Sequence, residues 1–182
     1  MHIRDREIER LVKYAEGLGL RVEWKRHRRG DPGATWDMDG SVIEVFTWPS
    51  QSKTTIILNI VHELAHHMAW IYAQRKKDEA VDAAIIADNE SSAEEPPPKA
   101  QRKLIYLSEK NDTKYRPKIM HEVGIKLPKY KVAADKALDI WCYRHYYKKG
   151  NYPGVGALRA KQRELRAKYR RKFGTKDVVE GL

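Results

Sequence analysis

Apolar residues recur at helical spacing at the start of the chain. Ile8, Leu11, Val12 and Ala15 predict an amphipathic helix from Ile3 to about Gly17, with Gly17 and Gly19 as the stop. The period then changes to two. Leu20, Val22 and Trp24 share one face of a strand that runs to about Lys25. A charged loop follows and ends in the turn signal Asp31-Pro32-Gly33. Ala34–Met38 and Ser41–Thr47 are strand-like and flank Asp39-Gly40, which predicts a hairpin with a two-residue turn. Trp48 to Ser52 breaks the strand, and Ser50 or Ser52 can cap a helix from Lys53 to about Gln74. Its apolar stripe is Ile57, Ile60, Val61, Leu64, Met68 and Ile71.

Downstream the pattern thins. Arg75–Ala87 reads as a charged helix, and about 88–103 reads as an acidic, proline-rich insertion with the composition of flexible chain. Gln101–Leu107 returns to order, and Asn111–Lys131 is polar with weak signals. Val132, Leu138, Trp141 and Cys142 predict a helix over Lys131 to about Tyr147. Three glycines and a proline within Lys148–Gly156 mark a boundary. Ala157–Lys172 is a basic helix with a thin stripe of Leu158, Leu165, Tyr169 and Phe173. The expected fold is α+β: residues 1–150 form a domain with a small antiparallel or mixed sheet on the Lys53–Gln74 helix, and residues 151–182 form a basic helical tail.

Composition narrows the setting. The 182 residues are 41% hydrophobic and 34% charged, enough for one modest core with much solvated surface. The single cysteine, Cys142, excludes an internal disulfide framework and an all-cysteine metal site. The N-terminus is charged and unlike a signal peptide, and the apolar runs are too short to span a bilayer. A cytoplasmic protein with no membrane partner is expected, in a host cytoplasm if phage-encoded. The net charge is +11, and residues 143–182 hold twelve Lys/Arg against three Asp/Glu. That end suits nucleic acid or an acidic protein surface, bound through salt-sensitive contacts with little sequence preference. A solvated helix would carry the same charge. The sequence leaves the oligomeric state open.

The strongest chemical signal is His62-Glu63-Leu64-Ala65-His66. Residues four apart on a helix share a face, so His62 and His66 can grip one metal ion, and Glu63 can serve as general base for a water at that metal. This arrangement points to metal-assisted hydrolysis, most often of a peptide bond, with zinc as the ion. A third protein ligand is needed. After His67 the next histidine is His121, so a carboxylate is expected. Asp135 and Asp139 share a helix face; one can bind metal while the other accepts the second N–H of a histidine. Asp78, Glu79 and Asp82 compete, but they follow the metal helix too closely to fold back to it with ease. His67 is turned about 100° from His66 and is a poorer ligand.

The N-terminal helix, small sheet, His-Glu-Leu-Ala-His helix and later carboxylate helix resemble the ImmA/IrrE-like metallopeptidases, over roughly residues 1–147. In that family's pattern a Glu is followed by a small residue, an Asp or Asn, an aromatic and a second small residue. Asp135, Leu138, Asp139, Trp141 and Cys142 fall at those places, with Asp in place of the Glu and a longer spacer after His66. The resemblance implies that Asp135 is a zinc ligand and that Asp139 steadies His62. It also implies a protein substrate, such as a repressor-like regulator, in a bacterial or phage setting.

Zincins often add a donor that stabilises the oxyanion of the tetrahedral intermediate. His145 is the first candidate, with Tyr143, Tyr146 and Tyr152 behind it. An extended substrate would lie along a sheet edge, and the strand Val42–Phe46 is a candidate for it. The leading expectation is a zinc metallopeptidase with His62, His66 and Asp135 as ligands and Glu63 and His145 as catalytic groups. The alternatives are a zincin-fold binding protein that engages DNA or a DNA-bound regulator through its tail, and a phage structural or assembly component.

Overall fold

A computed structural model describes residues 5–28, 32–89, 96–176 and 178. Residues 90–95 of the acidic insertion, Asp31 of the loop turn, and the extreme termini lie outside this range.

The fold is α+β and mostly helical. The elements are α1 (Arg6–Gly17), β1 (Arg21–Arg26), β2 (Ala34–Asp37), β3 (Val42–Thr47), α2 (Lys53–Lys76), α3 (Glu79–Asn89), α4 (Lys99–Asp112), α5 (Arg116–Val123), α6 (Lys129–Lys149) and α7 (Val155–Phe173). Asp5 caps α1 by accepting hydrogen bonds from the N–H groups of Glu7 and Ile8. The sheet is mixed, in the order β1–β3–β2, with β1 parallel and β2 antiparallel to β3. Val42–Phe46 is therefore the central strand, not an edge. Ile43 and Val45 are fully buried, and this strand has the apolar content to stand in the middle. The hairpin forms, but with four residues between its strands; Ser41 adopts a left-handed φ of 49°, and the Asp37 carboxylate accepts from Gly40 N.

Ser52 caps α2 by accepting from Thr55 N, and Lys77 ends it in the left-handed region at φ 51°. The charged helix expected over Arg75–Ala87 is therefore a separate element that starts later, as α3, with Asp78 accepting from Val81 N at 3.3 Å. α2 is the central helix. Ile57, Ile60, Val61, Leu64 and Ala65 are fully buried, joined to Ile8 and Leu11 of α1 and to Ile43 and Val45 of β3. Each large apolar side chain buried in this way stabilises the fold by about 1.5–3 kcal/mol. Burial extends to Glu63, His66 and His67, so the helix is enclosed on more sides than a single apolar stripe implies.

Two helices stand where the sequence pattern is weak. α4 turns Ile105, Ser108, Glu109 and Asp112 inward at helical spacing, and α5 continues with Arg116, Ile119 and Met120. α7 packs back on α6, with Leu165, Leu158 and Tyr169 against Ala134, Leu138, Trp141 and Cys142. No helix among the described residues is long and apolar enough to cross a membrane.

Candidate metal centre

His62 and His66 project from one face of α2 toward Glu109 of α4. Their Nε2 atoms are 3.0 Å apart, and Glu109 Oε1 lies 3.4 Å from the first and 3.3 Å from the second. Donors about 2.1 Å from a common tetrahedral centre lie about 3.4 Å from one another. The three atoms thus have the mutual spacing of metal ligands, and they form a group that could hold a metal ion.

The chemistry of the donors agrees with the spacing. Glu109 is wholly buried, and neither of its carboxylate oxygens makes a well-formed hydrogen bond. A buried carboxylate left so is costly unless a cation compensates it. His66 Nδ1 is 2.7 Å from Asp112 Oδ2. A proton held on that nitrogen leaves the Nε2 lone pair facing the triangle. On the other ring, His62 Nδ1 contacts the Arg116 guanidinium and lies 3.4 Å from Asp139 Oδ2. Asp139 also accepts from Arg116 Nη1 at 2.5 Å.

The local field is strongly negative. Burial and Arg116 oppose protonation of His62, but Glu109, Glu63 and Asp139 outweigh them and push its pKa up to about 10. Burial opposes protonation of His66 as well, yet Asp112 and Glu109 hold it well above its ordinary value. The carboxylates that favour a proton on the rings favour a metal cation there as well, and a metal binds in competition with those protons. Glu63 is buried at 8% exposure, and desolvation first, with Glu109 adding to it, raises its pKa against the pull of the two histidines. Arg116 is 2% exposed, and burial works against its charge; Asp139, Asp135 and Glu109 more than restore it.

The residues expected from sequence are distributed as follows. His62, Glu63 and His66 meet at the centre. Asp139 reaches His62 from α6, on the side where a carboxylate was expected to steady that ring. Asp135 does not join the triangle: its carboxylate faces Arg116 Nη1 at 3.6 Å, and the carboxylate in the group is Glu109. The physical reason is Arg116, which stands between α6 and the histidines and takes both aspartates as its counter-ions. Burial and Asp139 raise Asp135 to about 7. Asp78, Glu79 and Asp82 remain at the start of α3, where Asp82 accepts from Gln74 Nε2 at 2.6 Å.

His145 is turned about 120° from Asp139 around α6. It packs on Trp141, ring centroids 6.2 Å apart, on the side of α7. Tyr146 stacks on Tyr152 at 4.6 Å, with Tyr143 edge-on to Tyr152, in a separate aromatic cluster. His67 is a core residue: its ring lies edge-on to Trp36 at 5.5 Å, and burial lowers its pKa. Trp36 of β2 also stacks over His66 at 6.5 Å, which brings the outer strand β2 beside α2.

Sequence reasoning missed Glu109, Asp112 and Arg116. The one available signal was their spacing: Ile105, Ser108, Glu109, Asp112 and Arg116 follow a helical repeat in which polar residues occupy most of the inward positions. Compared with family models, with curated proteins and with solved structures, the chain shows no significant match.

Proposed function

We propose that this chain is a zinc-dependent metallopeptidase similar to the ImmA/IrrE-like enzymes. The observation that carries the reading is the buried triangle of His62 Nε2, His66 Nε2 and Glu109 Oε1, with Glu63 on the same helix. Glu109 is a glutamate downstream of the two histidines and follows His66 more closely in sequence than Asp135 does, although Asp112 and Thr113 stand where the resembled pattern has a small residue and an Asp or Asn. Two histidines and one carboxylate suit zinc in a hydrolytic site.

Zinc, when bound, supplies Lewis acidity: it polarises a carbonyl and makes water more acidic. The chain supplies the rest. Glu63, whose pKa burial raises, takes the proton of the attacking water and returns it to the leaving amine. Asp112 orients the His66 ring so that its Nε2 lone pair faces the triangle, and Asp139 and Arg116 hold the His62 ring from its Nδ1 side. β2, an outer strand beside His66, offers backbone groups to an extended peptide. A regulatory protein substrate is the class that the family likeness suggests.

The test is Glu63→Gln, assayed with a quenched fluorescent peptide library. The variant is expected to bind one zinc per chain as the parent does and to lose hydrolysis by about 10²–10⁴-fold. Undiminished hydrolysis would remove Glu63 from the mechanism. A zinc-loaded parent that cleaves nothing would remove the peptidase reading.

A further inference from the structure

We infer that the groove between α2, α6 and α7 is a subsite that accepts an acidic side chain of the substrate, two or three residues from the bond that is cut. This rests on the peptidase reading. The docking of α7 on α6 uses Leu158, Leu165 and Tyr169. Arg166 and Arg170, four apart and on one side of α7, then line a cavity of about 420 Å³ with Lys131 of α6 and Thr54 and Thr55 of α2. Arg170 lies over the ring of Tyr130, 5.1 Å from its centroid, and Lys131 Nζ is 3.5 Å from Thr54 Oγ1. Three cations thus face one carboxylate, Asp135, which Arg116 also engages. The first turn of α2 adds its positive end and carries no acidic residue.

The cavity is joined to the metal centre by both helices that frame it. Leu58, in its lining, precedes His62 by four residues, and Asp135 precedes Asp139 by four. Thr55 precedes His62 by seven, about 10 Å along the axis. An extended peptide advances about 3.3 Å per residue, so a chain held at the metal group reaches the α2 wall of this cavity in two or three residues. A concave pocket of this size, one to two helical turns from the histidines, fits one charged group of a peptide better than a polyanion laid along a surface.

The experiment uses the full chain carrying Glu63→Gln, so that peptides bind without being cut. Fluorescence anisotropy is measured with a labelled hexapeptide amide holding two glutamates, its glutamine counterpart as the amide and as the free acid, and a fifteen-nucleotide single strand. The glutamate peptide is expected to bind at least tenfold tighter than the glutamine amide, with the advantage falling at high salt. Arg166→Gln with Arg170→Gln is expected to erase that preference while zinc content stays the same. Lys168→Gln, on the opposite side of α7, is expected to keep it. Equal affinity for the glutamate and glutamine amides would overturn the inference. So would a preference that survives the double substitution, a terminal carboxylate that replaces the side chain fully, or a single strand that binds at these arginines more tightly than the peptide. Glutamate-selective binding by a parent protein that hydrolyses nothing would refute the peptidase reading and leave an anion site. Hydrolysis without glutamate selectivity would refute the subsite alone.

Discussion

α2 brings His62 and His66 to the candidate metal centre from within an apolar core, whereas α4 and α5 meet them with Glu109, Asp112 and Arg116 on a buried stripe that is mostly charged. The first side is held by hydrophobic burial, which needs no partner of opposite sign. The second is held by charge compensation, in which each group depends on the others and on a cation. The histidines should therefore stay placed when the centre is perturbed, and the carboxylate side should answer strongly to every change.

The sharpest way to break this comparison is at Glu109. Glu109→Ala is expected to lower zinc after dialysis from about one ion per chain to near zero, while Asp135→Ala keeps it. Metal analysis of the two variants decides, and the reverse result would return the ligand role to α6. Arg116→Met follows. It leaves Asp139 and Asp135 without their buried counter-ion and is expected to cost about 3–5 kcal/mol in denaturant unfolding. A loss below about 1 kcal/mol would show that the stripe is not held by charge compensation.

Asp112→Asn keeps the shape at His66 but removes the charge that its Nδ1–H meets. Zinc affinity by competition with a chelator is expected to fall 10–100-fold, with the fold intact. The smallest effect lies far from the centre. Slight burial opposes ionisation of Asp5, but hydrogen bonds from Lys53 and from the N–H groups of Glu7 and Ile8 outweigh it and lower its pKa. Asp5→Ala is expected to cost about 1 kcal/mol at neutral pH. Because the folded pKa lies below the unfolded one, the contribution is fully present above about pH 4 and fades as the pH falls through the folded value. The gap between parent and variant in thermal unfolding should narrow in acid, and a gap that widened there would refute the assignment.

The two sides also differ in how readily sequence reveals them. α2 was legible because its apolar stripe and its five-residue motif coincide, so the periodicity that predicts the helix also places the histidines. The hairpin and α6 were legible for similar reasons, although the four-residue connection at Met38–Ser41 was not, since Asp39-Gly40 suits a tighter turn. α4 was not legible. Its inward positions keep the helical period, but Ser108, Glu109 and Asp112 fill three of them, and a search for hydrophobic repeats passes over such a face. Asp135 and Asp139 drew attention in its place because their helix has a clear apolar pattern.

By itself, the sequence determined the long helix that carries the pair of histidines with Glu63 beside them, and the mixture of a small sheet with many helices. Those features depend on local period and spacing, which a chain carries in one dimension. Only the tertiary structure decided that Glu109 joins the histidines, that Arg116 draws Asp135 and Asp139 to itself, that β3 is central and β2 outer, and that the basic helix α7 lies against α6 and walls a groove. Each of these is a choice among partners of equal chemistry, and the packing of elements remote in sequence makes it.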